Sequence, residues 1–129
     1  MRLYAARALV SALAVAALAA VTVGTAASRT HPLAAKATTI AVSATDFRFK
    51  LRPSAGPRAG QTVTFAVKNN GKAAHDFKIA GKKTRLLQPG QSARLSVKFT
   101  KAGQFLYICT VDAHRQLGMK GTYTVRPAQ

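Results

Sequence analysis

The chain has 129 residues, with 20 Lys+Arg against 3 Asp+Glu and a formal net charge of +17. That length supports one cored domain and excludes two, and a single cysteine excludes an intrachain disulfide. The charge favours anionic partners, namely an acidic protein, an anionic membrane surface or a cell-wall polymer. Nucleic acid is disfavoured, because no basic helix or stacking aromatic platform accompanies the charge.

Arg2 and Arg7 give a positive start, Ala8 to Val23 is an apolar run, and Thr25-Ala26-Ala27 supplies small residues. This order is that of a secretory signal peptide over residues 1–27. The run is shorter than the ~20 residues of a spanning helix, which sets an uncleaved anchor second. Residues 28–37, polar and alanine-rich, are expected to be a flexible linker, and His31 within them is read as a linker residue. Export places the chain in an oxidising compartment, where an unpaired thiol must be buried or ligated.

Period-two alternation fills the rest. Ile40 to Ala44 is a weak first strand. Phe47, Phe49 and Leu51 then alternate with Asp46, Arg48, Lys50 and Arg52, and Val63, Phe65 and Val67 with Thr62, Thr64, Ala66 and Lys68. Phe77 and Ile79, Leu95 with Val97 and Phe99, and Tyr123 with Val125 repeat the pattern, each a strand with one wet face. Phe105 to Cys109 is apolar throughout and is expected to lie mid-sheet, covered on both faces. Turn residues separate the runs, as in Asn69-Asn70-Gly71 and Gln88-Pro89-Gly90. Seven or eight short strands without an amphipathic helix imply an all-β antiparallel sandwich or barrel over residues 38–129.

The chemistry gathers in Tyr107-Ile108-Cys109-Thr110-Val111-Asp112-Ala113-His114-Arg115-Gln116-Leu117-Gly118-Met119. Taken singly, His114 is a surface or core histidine, Met119 a packing residue and Cys109 a small buried hydrophobe. Taken together, they are a thiolate, an imidazole and a thioether at regular intervals between two strands. His75, after the Asn69-Asn70-Gly71 turn, offers a second imidazole, and strand ends cluster at one pole of a sandwich. Two imidazoles, a thiolate and a weak thioether favour a trigonal copper site that passes single electrons. Zinc accepts the same donors.

The Cys-x4-His-x4-Met stretch and the segment Asn70-Gly71-Lys72-Ala73-Ala74-His75-Asp76-Phe77 resemble the copper loop and first-histidine segment of the cupredoxins. The resemblance spans roughly residues 38–126. It implies a Greek-key β-sandwich with one type 1 copper, held by His75, Cys109 and His114 in the trigonal plane and by Met119 axially. Asp76 stands where many members carry an asparagine that ties the ligand loops together. A charged Asp76 beside the metal would favour Cu(II) and lower the potential. Asp112-Ala113 stands where several members have Pro or Gly.

These residues support an exported, monomeric, non-enzymatic carrier of single electrons between redox partners, steered by its positive surface to an acidic face. An extracytoplasmic copper chaperone or store would use the same ligands. An enzyme with Cys109 as nucleophile and His114 as base lacks an evident group to orient the base. Four protein donors leave no position for a substrate, and a binuclear centre would need a second cysteine.

Overall fold

The computed structural model describes residues 38–129; the expected signal peptide (1–27) and linker (28–37), with His31, lie outside the described residues. Eight strands form: β1 (Thr38–Thr45), β2 (Arg48–Arg52), β3 (Thr62–Asn69), β4 (Lys78–Ile79), β5 (Lys82–Lys83), β6 (Ser92–Lys98), β7 (Gly103–Ile108) and β8 (Lys120–Val125). They make two four-stranded sheets, ordered β2-β1-β3-β6 and β5-β4-β7-β8. The chain changes sheet between β3 and β4, between β5 and β6, and between β6 and β7. The all-β sandwich expected from the alternating pattern is therefore the architecture found, with no helix among the described residues.

The alternation explains the layers. Val63, Phe65 and Val67 of β3 face inward at 1% exposure or less, while Thr62 and Lys68 face water. Phe65 sits at the centre, its ring 5.3 Å from Phe77, 5.4 Å from Tyr123 and 6.3 Å from Phe99. Burying each such ring contributes about 1.5–3 kcal/mol, so this cluster joins the two sheets.

Three details differ from the alternation reading. β1 is a full eight-residue strand, and it pairs in parallel with β3, so the sandwich is not purely antiparallel. Its inward Ile40, Val42 and Ala44 are buried, while Ala41 and Ser43 between them pair with β2 and β3 through the backbone and face outward, Ala41 exposed and Ser43 half-buried. β7 does lie mid-sheet, between β4 and β8, but its outer face is uncovered: Leu106 is 48% exposed. A continuous apolar run here reflects one wet face that happens to be apolar. The strand read over 76–79 shortens to Lys78–Ile79, because His75 and Asp76 are drawn into other contacts.

The connection from β2 to β3 crosses to the other sheet. Ala59 N–H donates to Arg126 carbonyl at 2.8 Å and Arg126 N–H to Pro57 carbonyl at 2.8 Å. Gly56 lies flat on β8, where an added Cβ would overlap the Thr124 carbonyl oxygen. This segment closes the end of the sandwich, leaving the pole at the β1–β2 and β7–β8 ends to hold the site.

Candidate metal centre

β7 delivers Cys109 to the edge of the core, and the β7–β8 ladder continues one step beyond the strands: Cys109 N–H donates to Met119 carbonyl at 3.0 Å. The intervening loop folds back on itself. His114 N–H donates to Val111 carbonyl, Met119 N–H to His114 carbonyl (both 3.0 Å) and Leu117 N–H to Ala113 carbonyl (3.1 Å). Asp112 takes a positive φ of 37°, which aspartate tolerates better than most residues, and Gly118 one of 106°.

His75 is fixed from the other side. It bridges Leu87 through two backbone hydrogen bonds of 3.0 and 2.8 Å. Asn69, fully buried at the end of β3, braces the preceding loop. Its Nδ2 donates to the carbonyls of Ala73 and Leu87 (2.8 Å each), and its Oδ1 accepts from Gly71 N–H (2.9 Å). The sequence reading placed Asn69 only in a turn.

The result is a cluster of donors. His75 Nδ1 and His114 Nδ1 are 3.2 Å apart, Cys109 Sγ is 3.6 Å from His114 Nδ1 and 3.9 Å from His75 Nδ1. Nitrogen and sulfur donors bound about 2.0–2.3 Å from one ion, at angles from tetrahedral to trigonal, stand about 3.3–3.8 Å apart. The three atoms thus fit a common ion after shifts of about 0.1 Å, and they are one thiol and two imidazoles, a copper-compatible set. Met119 is 0% exposed, with its backbone bonded to Cys109 and His114. His75 is likewise 0% exposed and Cys109 1%; His114, at 9%, reaches closest to solvent.

Two carboxylates frame the cluster. Asp76 accepts from Thr110 N–H at 2.6 Å and Thr110 Oγ1–H at 2.5 Å, with Lys83 Nζ 3.4 Å away. A carboxylate here ties the His75 segment to the residue after Cys109, the link that an asparagine supplies in the resembled family. Asp46, in the turn between β1 and β2, sits 2.7 Å from His75 Nε2 and accepts the N–H groups of Lys72 (2.8 Å) and Ala73 (3.2 Å). These contacts, Lys72 N–H foremost and then His75, lower its pKa to about 2. An ionised carboxylate only accepts, so His75 Nε2 carries the proton and its Nδ1 faces the cluster. Burial pushes the Cys109 thiol pKa up; metal must displace that proton to bind sulfur.

Sequence reasoning missed Asp46 and Phe47 as site residues. The Phe47 ring lies 4.7 Å from that of His114 and 6.3 Å from that of His75, shielding both. A signal did exist: with 3 acids in the chain, Asp46, Asp76 and Asp112 are rare enough to mark positions. All three lie at this pole.

Comparisons with known proteins agree with this fold. Auracyanin from Roseiflexus castenholzii superposes with a TM-score of 0.62 at 22% identity, over 70% of this chain and 98% of that one. Auracyanin A of Chloroflexus aurantiacus, a "blue" copper protein, superposes at 0.60 and 23% identity, over 69% and 98%. A copper-containing nitrite reductase from Thermus scotoductus shares the fold over 27% of its length, at a TM-score of 0.55 and 22% identity. In sequence, the copper-resistant cuproprotein CopI of Pseudomonas aeruginosa is 45% identical over 42 residues, which are 33% of this chain and 23% of CopI. Auracyanin-B of Chloroflexus aurantiacus is 43% identical over 44 residues, 34% of this chain and 19% of that protein. The matched part is thus about a quarter or less of either curated relative. The profile of the family described as Cupredoxin-like domain matches residues 12–125, most of the sequence, and this chain belongs to that family.

Proposed function

We propose that this protein binds one copper ion through His75, Cys109, His114 and Met119 and carries single electrons between redox partners. The observation that carries the reading is the convergence of His75 Nδ1, Cys109 Sγ and His114 Nδ1 within 3.2 to 3.9 Å, beside a fully buried Met119. Copper cycling between its monovalent and divalent states would supply the one-electron chemistry. The chain's part is rigidity. Asn69, Asp46 and Asp76 hold the two ligand segments through side-chain hydrogen bonds, so the donors need move little as charge changes. His114, the least buried donor, is the route by which an electron enters or leaves. Four donors leave no place for substrate, which supports a carrier over an enzyme.

The surface supports the partner reading. Arg48, Lys50, Arg52, Lys68, Arg94 and Lys98 all project from the outer face of the β2-β1-β3-β6 sheet with no acid among them. An acidic redox protein is the partner this charge fits best; an anionic membrane or cell wall would hold the protein by the same attraction. Transfer rates to an acidic partner should then fall steeply as salt shortens the Debye length from ~10 Å at 0.1 M to ~3 Å at 1 M. The amino-terminal pattern supports export, and the protein acts as a monomer in this reading.

Copper titration with absorption and EPR spectra tests the assignment. An intense visible sulfur-to-copper band, with reversible one-electron voltammetry, is expected; a colourless complex would refute it. The local identity to CopI favours a second reading, an extracytoplasmic copper chaperone or store. Fast electron self-exchange with the metal retained supports the carrier. Copper release to an acceptor chelator protein, without self-exchange, supports the store.

A further inference from the structure

We propose that Asp46 is the positioning residue of the copper site. It locks His75 in the tautomer that offers Nδ1 to the metal, and its charge biases that metal towards the divalent state. The proposal rests on the copper reading above and adds a residue from outside both ligand segments.

Asp46 comes from the β1–β2 turn, yet its carboxylate is built into the loop that carries His75. Oδ2 accepts from Lys72 N–H, and Oδ1 accepts from both Ala73 N–H and His75 Nε2–H. Three donors from residues 72–75 thus converge on one carboxylate, so its position is fixed before any metal arrives. Gly71 makes the approach possible. A Cβ there would stand 2.3 Å from Asp46 Oδ1 and 3.0 Å from His75 Nε2, and no side chain fits between them. Gly71 is not in the left-handed region, so its lack of a side chain serves the carboxylate and not the backbone.

Two consequences follow. A neutral imidazole that donates from Nε2 must present a lone pair at Nδ1, the atom facing Cys109 and His114. A full negative charge one imidazole away stabilises a divalent ion more than a monovalent one, so it lowers the reduction potential. Losing such an outer partner typically costs 10–100-fold in metal affinity. If a tenfold loss falls on Cu(II) alone, the potential rises by about 59 mV.

The test uses the full chain in two states. In the metal-free protein, nitrogen-15 NMR should show His75 as one Nε2–H tautomer with slow solvent exchange. In Gly71→Ala and Asp46→Ala the Nδ1–H form should appear and the Nε2 proton should exchange fast. In the copper-loaded protein, Asp46→Asn, which keeps an acceptor and removes the charge, should raise the potential by tens of millivolts, the scale set by a tenfold selective loss. An unchanged potential in Asp46→Asn overturns the proposal, as does an unchanged His75 tautomer and exchange rate in Gly71→Ala. The metal-free readout keeps the two readings apart. A parent chain that takes up no copper sinks the carrier assignment, whereas the tautomer shift reports the Asp46–His75 link alone.

Discussion

The β2-β1-β3-β6 sheet and the β5-β4-β7-β8 sheet have four strands each but are built on different terms. The first has strands of 8, 5, 8 and 7 residues held by continuous ladders, and it supplies no donor to the metal centre. The second has two strands of only 2 residues, and its ends and loops carry all four candidate ligands. Where its ladder is short, side chains do the joining: Asn69 braces the His75 loop, and Asp76 binds Thr110 beside Cys109. A donor cluster needs backbone that departs from regular pairing, and it keeps its shape because a regular sheet packs behind it. The first sheet reaches the site through its hairpin, by Asp46 and Phe47, and through the end of β3, by Asn69.

The sharpest break in that contrast is Cys109→Ser. The variant should fold, because the residue is small and buried, yet it should lose the visible band. Its Cu(II) affinity should fall by more than the ~10–100-fold typical of an outer partner. An absorption titration reads both, and a retained band would remove sulfur from the centre. Phe65→Ala makes the opposite cut in the first sheet. It should cost about 3–5 kcal/mol in urea unfolding, since the ring packs against Phe77, Phe99 and Tyr123. The band of the folded fraction should stay where it was. A shifted band would show that the first sheet tunes the metal through its core.

Gly121→Ala should fall between these. Gly121 pairs with Tyr107 across β7 and β8, and an added Cβ would stand 2.4 Å from the ring carbon bearing the hydroxyl. Moving that ring should cost about 1–3 kcal/mol. Because Tyr107 lies two residues before Cys109, both the melting temperature and the band should move. Stability loss with an unmoved spectrum would place the ligands beyond the reach of β7 packing.

The same division decides what was legible beforehand. Val63, Phe65 and Val67 declared β3 by alternation alone, because a long strand with one wet face leaves a period-two trace. Cys109, His114 and Met119 stood out by their donor atoms and spacing, and the ligand loop is local enough for spacing to matter. The role of His75 depended on two segments meeting across the fold, which alternation does not encode. Asp46 read as a solvent-facing strand position, and only the turn it occupies brings it to His75. Leu106 misled for a related reason: an apolar run says nothing about which face lacks a covering layer.

Asp76→Asn probes the side-chain joints of the second sheet. The amide keeps one acceptor for Thr110 N–H but gives up the charge-assisted pairing with Thr110 Oγ1 and Lys83. The exchange should cost about 1 kcal/mol, the difference between charged and neutral hydrogen bonds. The potential should rise, since a negative group near the centre is lost. An unchanged potential would confine Asp76 to bracing the loop.

The gentlest probe is pH, applied to the metal-free chain, because its two limbs report the two sheets separately. Asp46, on the hairpin of the first sheet, has its pKa lowered from 3.8 to about 2. The unfolded chain therefore binds a proton there more readily than the folded one. The stability this group contributes is whole above pH 3.8 and is lost as the pH falls towards 2. Exposure of the carboxylate keeps the effect small, and Asp46→Asn should flatten that part of the acid limb. On the second sheet, burial raises the pKa values of Cys109, Tyr107 and Tyr123 above 9.0, 10.0 and 10.0. Their contribution is whole below those ordinary values and is lost as the pH rises through the folded ones. Cys109→Ser should remove the earliest part of the alkaline loss and leave the acid limb alone. Urea midpoints measured from pH 2 to 11 would show it. A Cys109→Ser curve that also changes below pH 4 would mean that the carboxylate and the thiol act as one unit, and the separation of the sheets would fail at the site itself.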